Sequence, residues 1–239
     1  MPTSSEQIIF LTRHGQTAYN KGIRNGKLVD GTPIVQTFSD IPETQLLPAA
    51  YDEQRQKGRI LRRHAPSIIY HTDLGRTRST AELIMEELET PRELRENKSF
   101  RDQNFAPHWE GKSLAEIENS FEKEFRDWKR AEERGDFAFK LPHTDLTLPE
   151  PESIEEVILR VGQGLEEIIA EQKTTLIVSH GHSTKAMIFY LLQNTVFEFP
   201  QTEFKNIQTP NSCLYKVRIN SRETYAFNYE KKKWIKTFY

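Results

Sequence analysis

The chain has 239 residues, of which 36% are hydrophobic and 28% charged, and its formal net charge is −2. This length fits one large domain better than two small ones, and the near-zero charge argues against nucleic acid or an anionic membrane as a partner. The single cysteine, Cys213, excludes a disulfide within the chain, which suits a reducing compartment. No stretch resembles a signal peptide or reaches the length of a membrane span. We therefore expect a cytoplasmic protein.

Short apolar runs predict the strands of a central sheet. These runs are residues 7–12, 67–70 and 174–179, and each is nearly all apolar, as in strands covered on both faces. Residues 20–50, rich in glycine and proline, predict a long loop between the first helix and the first strand. The C-terminal segments 212–219, 224–229 and 233–238 alternate in polarity, which indicates an antiparallel meander.

Helical patterns alternate with the three early strands. Helices are predicted over residues 51–63, 78–88 and 183–193, and behind capping boxes that begin at Ser113 and Ser153. This alternation predicts an α/β fold, a three-layer α/β/α sandwich with a mostly parallel central sheet. Because no repeat, linker or low-complexity tract divides the chain, we expect a single domain over residues 1–239.

Histidines, arginines and glycines follow the three early strands at their carboxyl ends. Residues 13–15 are Arg-His-Gly, residues 71–76 contain His71 and Arg76, and residues 180–181 are His-Gly. Sites in parallel α/β sheets lie beyond the carboxyl ends of the strands, so these groups are expected to converge. Arginine pairs with phosphate oxygens, glycine lets backbone N–H groups approach an anion, and a neutral imidazole can attack phosphorus. The pattern predicts an oxyanion site with a histidine nucleophile.

The sequence resembles the histidine phosphatase superfamily, also called phosphoglycerate mutase-like. Residues 13–20 (RHGQTAYN) are similar to its R-H-G-x-[ST]-x-x-N signature, residues 72–81 (TDLGRTRSTA) to S-D-L-x-R-[AT]-x-x-T-A, and residues 178–181 (VSHG) to V-S-H-G. The order and spacing fit from about residue 7 to 193. Three such motifs in order, each behind a predicted strand, are a strong signal. In this family the insert at about residues 98–150 lies over the active site.

The resemblance implies a role for each matching residue. His14 is the expected nucleophile, while Arg13, Arg76 and His180 are expected to hold the phosphoryl oxygens. The expected substrate-binding residues are Asn20, Thr17, Gly181 and Gln16. His182 is expected either to line the pocket or to be structural, because no further ligands lie at a spacing that would make a metal site with His180.

Two carboxylates are candidates for the general acid that protonates the leaving oxygen. The family carries a Glu or Asp in an L-R-[ED] stretch ahead of a W-E-G-like turn, which is residues 109–111 here. Asp102 lies at about the expected spacing and is the favoured candidate. Glu96 matches the letters of the stretch but lies farther upstream. Ala106 stands where the family usually has glycine, a departure that concerns the shape of this turn.

The resemblance implies a metal-independent phosphate monoester hydrolase, a histidine acid phosphatase-like phosphomonoesterase acting through a phosphohistidine on His14, with no metal or organic cofactor. Two alternatives stay open: a phosphoglycerate mutase-type phosphotransferase and a catalytically weak scaffold that binds a phosphorylated ligand. The mutase stretch N-E-R-H-Y-G has no counterpart at residues 101–106. The expected partner is a small phosphorylated substrate or a phosphopeptide; the sequence indicates neither which ester it is nor the oligomeric state.

Overall fold

The structure, a computed structural model, describes residues 6–143, 145, 147–193 and 204–237. Its strands are β1 (Ile8–Arg13), β2 (Ile23–Arg24), β3 (Lys27–Leu28), β4 (Ile68–His71), β5 (Glu93–Glu96), β6 (Thr175–Ser179), β7 (Leu214–Arg218), β8 (Glu223–Asn228) and β9 (Lys233–Lys236). Its α-helices are α1 (Tyr51–Leu61), α2 (Gly75–Met85), α3 (Leu114–Ser120), α4 (Glu122–Arg134), α5 (Ile154–Ala170) and α6 (Gly181–Gln193).

Seven strands form one mixed sheet in the order β5-β4-β6-β1-β7-β8-β9. The first four of these pair in parallel, and β7, β8 and β9 continue the sheet as an antiparallel meander. The prediction of a largely parallel core with a C-terminal meander is therefore confirmed, and the meander extends the sheet from β1. Phe238, the last residue of the third predicted segment, lies outside the described residues.

The sheet separates two apolar cores, as a three-layer sandwich requires. Side chains alternate between the faces along a strand, so Ile9 and Leu11 of β1 pack toward α5 and α6. Phe10 between them packs toward α1 and α2. Both faces of the parallel strands are covered, which accounts for their nearly continuous apolar sequence.

Helices α2 and α6 begin earlier than the sequence patterns predict. They start at Gly75 and Gly181, whereas the apolar periodicity begins at about residues 78 and 183. The first turn of each helix faces the polar end of the sheet, so its residues lack the apolar spacing on which the prediction rests. As a result Arg76 and Gly181 belong to the first turns of helices, directly beside the strand ends.

Two further features differ from the predicted elements. Strand β5 is absent from the prediction because its sequence, ELRE, is polar and lies at the exposed edge of the sheet. The helix predicted behind Ser113 is divided at Phe121, whose backbone is not helical, into α3 and α4. The capping boxes of Ser113 and Ser153 are present as predicted.

The segment at residues 98–150 has a small core of its own. Trp109 and Ile117 are almost fully buried there, and Phe121, Phe125 and Trp128 pack against them. The insert is thus held by its own aromatic side chains beside the main sheet. Within the described ranges, no helix is both long and apolar enough to cross a membrane.

Candidate active site

The carboxyl ends of β1, β4 and β6 lie side by side and bring the three motifs together. Strand β6 lies between the other two, with Ser179 opposite Arg13 and Val178 opposite His71. The rings of His14 and His180, which follow β1 and β6, are 5.3 Å apart between centroids. Convergence of the motif residues therefore follows from strand order and register.

His14 is held in the form that a nucleophile requires. Its Nδ1 lies 2.8 Å from the backbone oxygen of Gly15. Because a carbonyl only accepts hydrogen bonds, Nδ1 carries the ring hydrogen and Nε2 keeps its lone pair. Burial, followed by the charges of Arg76 and Arg13, holds the pKa of His14 well below its usual 6.5. The imidazole is therefore neutral at physiological pH.

Buried nitrogens without partners surround His14. Among the described residues, Arg13 Nε, Arg76 Nε and His180 Nδ1 have no hydrogen-bond partner. A buried donor left unpaired is costly, and a bound oxyanion would satisfy all three. His180 Nε2 lies 3.1 Å from the Thr72 hydroxyl. In the tautomer in which Nε2 accepts from that hydroxyl, the ring hydrogen lies on Nδ1, the nitrogen that has no partner.

The two terminal nitrogens of Arg76 are already engaged by the loop at residues 36–39. They donate to the backbone oxygens of Ser39 at 3.0 Å and Gln36 at 3.0 Å. The Glu110 carboxylate in turn accepts from the backbone N–H of Thr37 at 2.8 Å and of Ser39 at 3.2 Å. The terminal nitrogens of Arg76 are therefore directed at the loop, and its Nε, which has no partner, is the nitrogen it can offer to an anion.

Gly15 has a packing role that differs from the expected approach of its backbone to an anion. Its N–H donates to the Thr80 hydroxyl at 2.9 Å. A Cβ at this position would lie 3.0 Å from the side-chain nitrogen of Gln54 and 3.1 Å from a methyl of Leu46. Glycine fits this position without displacing a neighbour, whereas a larger residue would require the side chains of Gln54 on α1 and of Leu46 to shift by a few tenths of an ångström.

A cleft of about 510 Å³ opens beside these groups. Four residues of the predicted site line it, together with Gln36: Arg13, Asn20, Asp102 and Gly181. His14, Arg76 and His180 are buried and do not line it. Gln16 and Thr17 do not line it either. The Thr17 hydroxyl donates to Gln36 Oε1 at 3.0 Å. Thr17 thus positions the side chain of Gln36, which lines the cleft.

Asp102 lies at the start of α6, on the wall of the cleft. Its Oδ1 accepts from the backbone N–H groups of His182 at 3.0 Å and Ser183 at 3.3 Å, as a carboxylate does at a helix N-terminus. Glu96, the other candidate acid, is exposed at the end of the edge strand β5 and does not line the cleft. The geometry therefore favours Asp102.

Several side chains fix the segment that carries Asp102. Arg101 pairs with Asp73 of the second motif, with 2.6 Å between Arg101 Nε and Asp73 Oδ1. Arg160 of α5 donates to the backbone oxygen of Asp102 at 3.2 Å, and the Ser179 hydroxyl donates to that of Phe100 at 2.6 Å. Asp73 thus helps to fix the segment of Asp102 by pairing with Arg101. It forms no ion pair with Arg76.

Sequence reasoning missed two polar residues behind His14. The fully buried Lys57 donates to the Thr12 hydroxyl at 2.9 Å and to the backbone oxygen of Asn211 at 2.7 Å. The Asn211 amide donates to the backbone oxygen of His14 at 2.9 Å. Neither residue belongs to a motif. The sequence feature that could have indicated Lys57 is its place on the same side of α1 as Leu61, which is buried.

No group of three or more His, Cys, Asp or Glu side chains with the arrangement of a metal site occurs in the part of the chain that the structure describes. His182 lines the cleft, and its ring packs edge-on against Phe105 with centroids 4.7 Å apart. Of the two roles expected for His182, lining the pocket or being structural, its position matches the first.

The sequence model of the histidine phosphatase superfamily (branch 1) matches residues 9–230. The chain belongs to this superfamily, as its fold and the position of its motifs also indicate. No curated protein sequence matches the chain significantly.

Solved structures of phosphatases share the fold along nearly the whole chain. A mycobacterial glucosyl-3-phosphoglycerate phosphatase in complex with VO3 has a TM-score of 0.67 at 19% identity, with 98% of each chain covered. A putative alpha-ribazole-5'-P phosphatase from Escherichia coli has a TM-score of 0.68 at 15% identity, with 97% of each chain covered. Phosphoserine phosphatase from Entamoeba histolytica, in complex with 3-phosphoglyceric acid, has a TM-score of 0.64 at 20% identity, covering 97% of this chain and 95% of that one. At these identities the similarity shows the fold alone.

Proposed function

We propose that this protein is a metal-independent phosphate monoester hydrolase that acts through a phosphohistidine on His14. The observation that carries the proposal is the state of His14: a buried neutral imidazole, its Nδ1 tied to the Gly15 oxygen. Unpartnered buried nitrogens of Arg13, Arg76 and His180 complete the arrangement. It suits attack on an anionic phosphorus centre.

In the first step His14 Nε2 attacks phosphorus, the N–P bond forms and the bond from phosphorus to the ester oxygen breaks. Arg13, Arg76 and His180 donate to the other phosphoryl oxygens and stabilise their charge in the transition state. Asp102, in its protonated form, transfers its proton to the leaving oxygen. The alcohol then departs into the cleft, which Asp102 lines.

In the second step water replaces the alcohol. The Asp102 carboxylate takes a proton from the water as its oxygen attacks phosphorus, and the N–P bond breaks. Phosphate leaves and His14 Nε2 recovers its lone pair. The structural relatives described above are named as phosphatases, which supports hydrolysis over transfer within the substrate.

The test is phosphate release from a panel of monoesters in excess chelator, with the wild type, His14→Ala and, as a matched control, His143→Ala. His143 lies in the loop of the insert and bonds the Leu148 oxygen. Loss of a covalent nucleophile lowers kcat by about 10³-fold or more, whereas the control is expected to keep its activity. Equal release by His14→Ala and the wild type would contradict the proposal.

The intermediate itself can be trapped with Asp102→Asn. With 4-nitrophenyl phosphate the leaving group needs no proton, so phosphorylation proceeds while hydrolysis of the intermediate slows. Acid-labile, alkali-stable phosphate on the peptide that contains His14 is the expected product. Conversion of 3-phosphoglycerate to its 2-isomer without phosphate release would indicate the mutase alternative. Vanadate binding without turnover of any ester would indicate the scaffold.

A further inference from the structure

A second cavity, of about 270 Å³, adjoins the cleft. Three residues, Phe105, His182 and Lys185, line both spaces. The two cavities are therefore neighbours with a common wall. A substrate that occupied both cavities would pass beside these three side chains.

The second cavity has an aromatic lining. Its aromatic side chains are Phe105, Trp128, Phe137, Phe139 and Phe204. The rings of Phe105 and Trp128 meet edge-on with centroids 5.7 Å apart, and those of Phe137 and Phe204 with centroids 5.2 Å apart. A cavity of roughly 150 Å³ is enough to bind benzene, so this one has room for a ring with substituents. Such a lining suits a planar, apolar group.

Lys185 is the cation at the junction of the two cavities. It lies half-buried on α6, and its ammonium is 5.8 Å from the centroid of Phe204. The structure gives this ammonium no hydrogen bond or ion pair with any described residue. Burial lowers its pKa, which the charges of Glu132 and Asp102 partly oppose. A partly desolvated cation without a partner favours an anionic group on a ligand.

The arrangement of charge fixes where that anionic group would lie. Among the described residues, four acidic ones line the second cavity but not the cleft: Glu132, Glu133, Asp136 and Glu152. The one cation that shares this position with them, Lys205, donates to the backbone oxygen of Glu133, so an anion deeper in the cavity faces mainly negative charge. Asp102 and Lys185 line the same cleft, and Asp102 is the proposed donor to the leaving oxygen. A group next to Lys185 therefore lies in the same cleft as the phosphorylated end of the alcohol.

We propose, on the basis of the phosphatase function above, that the preferred substrates are phosphate esters of an acidic alcohol with a planar, apolar body. The acidic group binds Lys185 near the ester oxygen, and the body occupies the aromatic cavity. Lys185 is then a specificity-determining residue: it acts on binding of the alcohol part and leaves the chemistry at phosphorus unchanged.

The test compares an aryl ester with and without the acid, and uses an alkyl ester as a reference for the acid alone. Phenyl phosphate has the planar body alone, 3-carboxyphenyl phosphate has the body and the acid, and 2-phosphoglycolate has the acid on an alkyl leaving group. The wild type is expected to hydrolyse 3-carboxyphenyl phosphate with a kcat/KM about tenfold above that of phenyl phosphate, since a hydrogen bond to a charged group contributes roughly that factor, and with a lower KM than for 2-phosphoglycolate, which lacks the body. Equal kcat/KM values for the two aryl esters would overturn the proposal.

Substitution of Lys185 separates the acid from the body. Lys185→Met is expected to raise KM for 3-carboxyphenyl phosphate about tenfold at unchanged kcat, and to leave phenyl phosphate within about twofold. Lys185→Arg, which keeps the charge, should recover the preference. The matched control is Lys173→Met at an exposed lysine before β6, paired with Glu171, which should change neither ester.

The outcomes distinguish this proposal from the proposed function. Turnover of phenyl phosphate that requires His14, with equal effects of Lys185→Met on both aromatic esters, would retain the phosphatase function and reject the acid site. Absence of turnover of every ester would reject the phosphatase function and the specificity proposal with it.

Discussion

Two residues that no motif contains, Lys57 and Asn211, also act on His14. Lys57 lies behind it and joins the end of β1 to the loop that carries Asn211, whose amide bonds the His14 backbone. The ammonium is fully buried, and burial lowers the pKa of Lys57 to about 8. Its charge also lowers the pKa of His14. Lys57 is thus placed to act as a positioning residue for the nucleophile.

We expect Lys57→Met to lower kcat about tenfold and to shift the acidic limb of the kcat/KM profile to higher pH. The substitution removes a positive charge that disfavours protonated His14, so the His14 pKa rises. It also leaves buried oxygens without a donor, which costs about 1–3 kcal/mol of stability. The measurement is the pH dependence of hydrolysis of 4-nitrophenyl phosphate, together with urea unfolding.

Arg59→Met, on the outer side of the same helix, is the control for Lys57→Met. Arg59 pairs with Asp52 and Glu87 at the surface, so its loss is expected to leave the pH profile unchanged. Because wild-type Lys57 itself loses its proton near pH 8, the charge effect of the variant should diminish above that pH. An unshifted acidic limb in Lys57→Met would show that Lys57 is only structural.

At the scale of elements, the loop at residues 36–39 and the insert are coupled through Glu110. The carboxylate holds the backbone N–H groups of Thr37 and Ser39, and the loop oxygens hold Arg76. Glu110 belongs to the W-E-G turn, so this part of the family pattern is linked to Arg76 of the candidate site through the loop.

Glu110→Gln is expected to speed amide exchange at Thr37 and Ser39 and to lower kcat/KM about tenfold. A neutral amide oxygen is a weaker acceptor than a carboxylate, and a loosened loop no longer fixes the guanidinium of Arg76. Hydrogen exchange read by mass spectrometry and steady-state kinetics measure the two effects. Glu118→Gln on the exposed side of α3 is the control. Faster loop exchange with unaltered kinetics would show that the loop does not position Arg76.

At the scale of the whole molecule, folding buries histidines in neutral form. Burial is the largest cause that holds the pKa of both His14 and His180 well below 6.5. The unfolded chain protonates these side chains below about pH 6.5, whereas the folded chain does not. The unfolded state therefore binds more protons, and acidification favours it.

We expect the free energy of unfolding to fall as the pH decreases below about 6.5. Each of the two histidines contributes a slope that approaches about 1.4 kcal/mol per pH unit. Urea unfolding between pH 7.5 and 5.5 measures this slope. His180→Gln, which keeps a polar side chain without a titrating ring, is expected to give a shallower dependence than the wild type. Identical slopes for the wild type and His180→Gln would contradict the view that folding lowers the pKa of His180.

The sequence alone determined the class of fold and the motif residues of the candidate site. Continuous apolar runs such as 174–179 require burial on both faces of a strand, and polar motif residues at their ends require a common edge. These are local patterns, so residues 13–15, 76 and 180 could be assigned before the structure was known. Strand β5 was not predicted because its polar sequence has no such pattern.

The tertiary structure decided which groups surround the motif residues. Asp102 is favoured over Glu96 because a pairing with the first turn of α6 places it on the cleft. Lys57 lies on the polar helix α1 and Lys185 on the largely apolar helix α6. The burial of both lysines depends on contacts between segments far apart in the chain. Such contacts leave no periodic signal, since periodicity reports which side of an element is buried and not what it meets there.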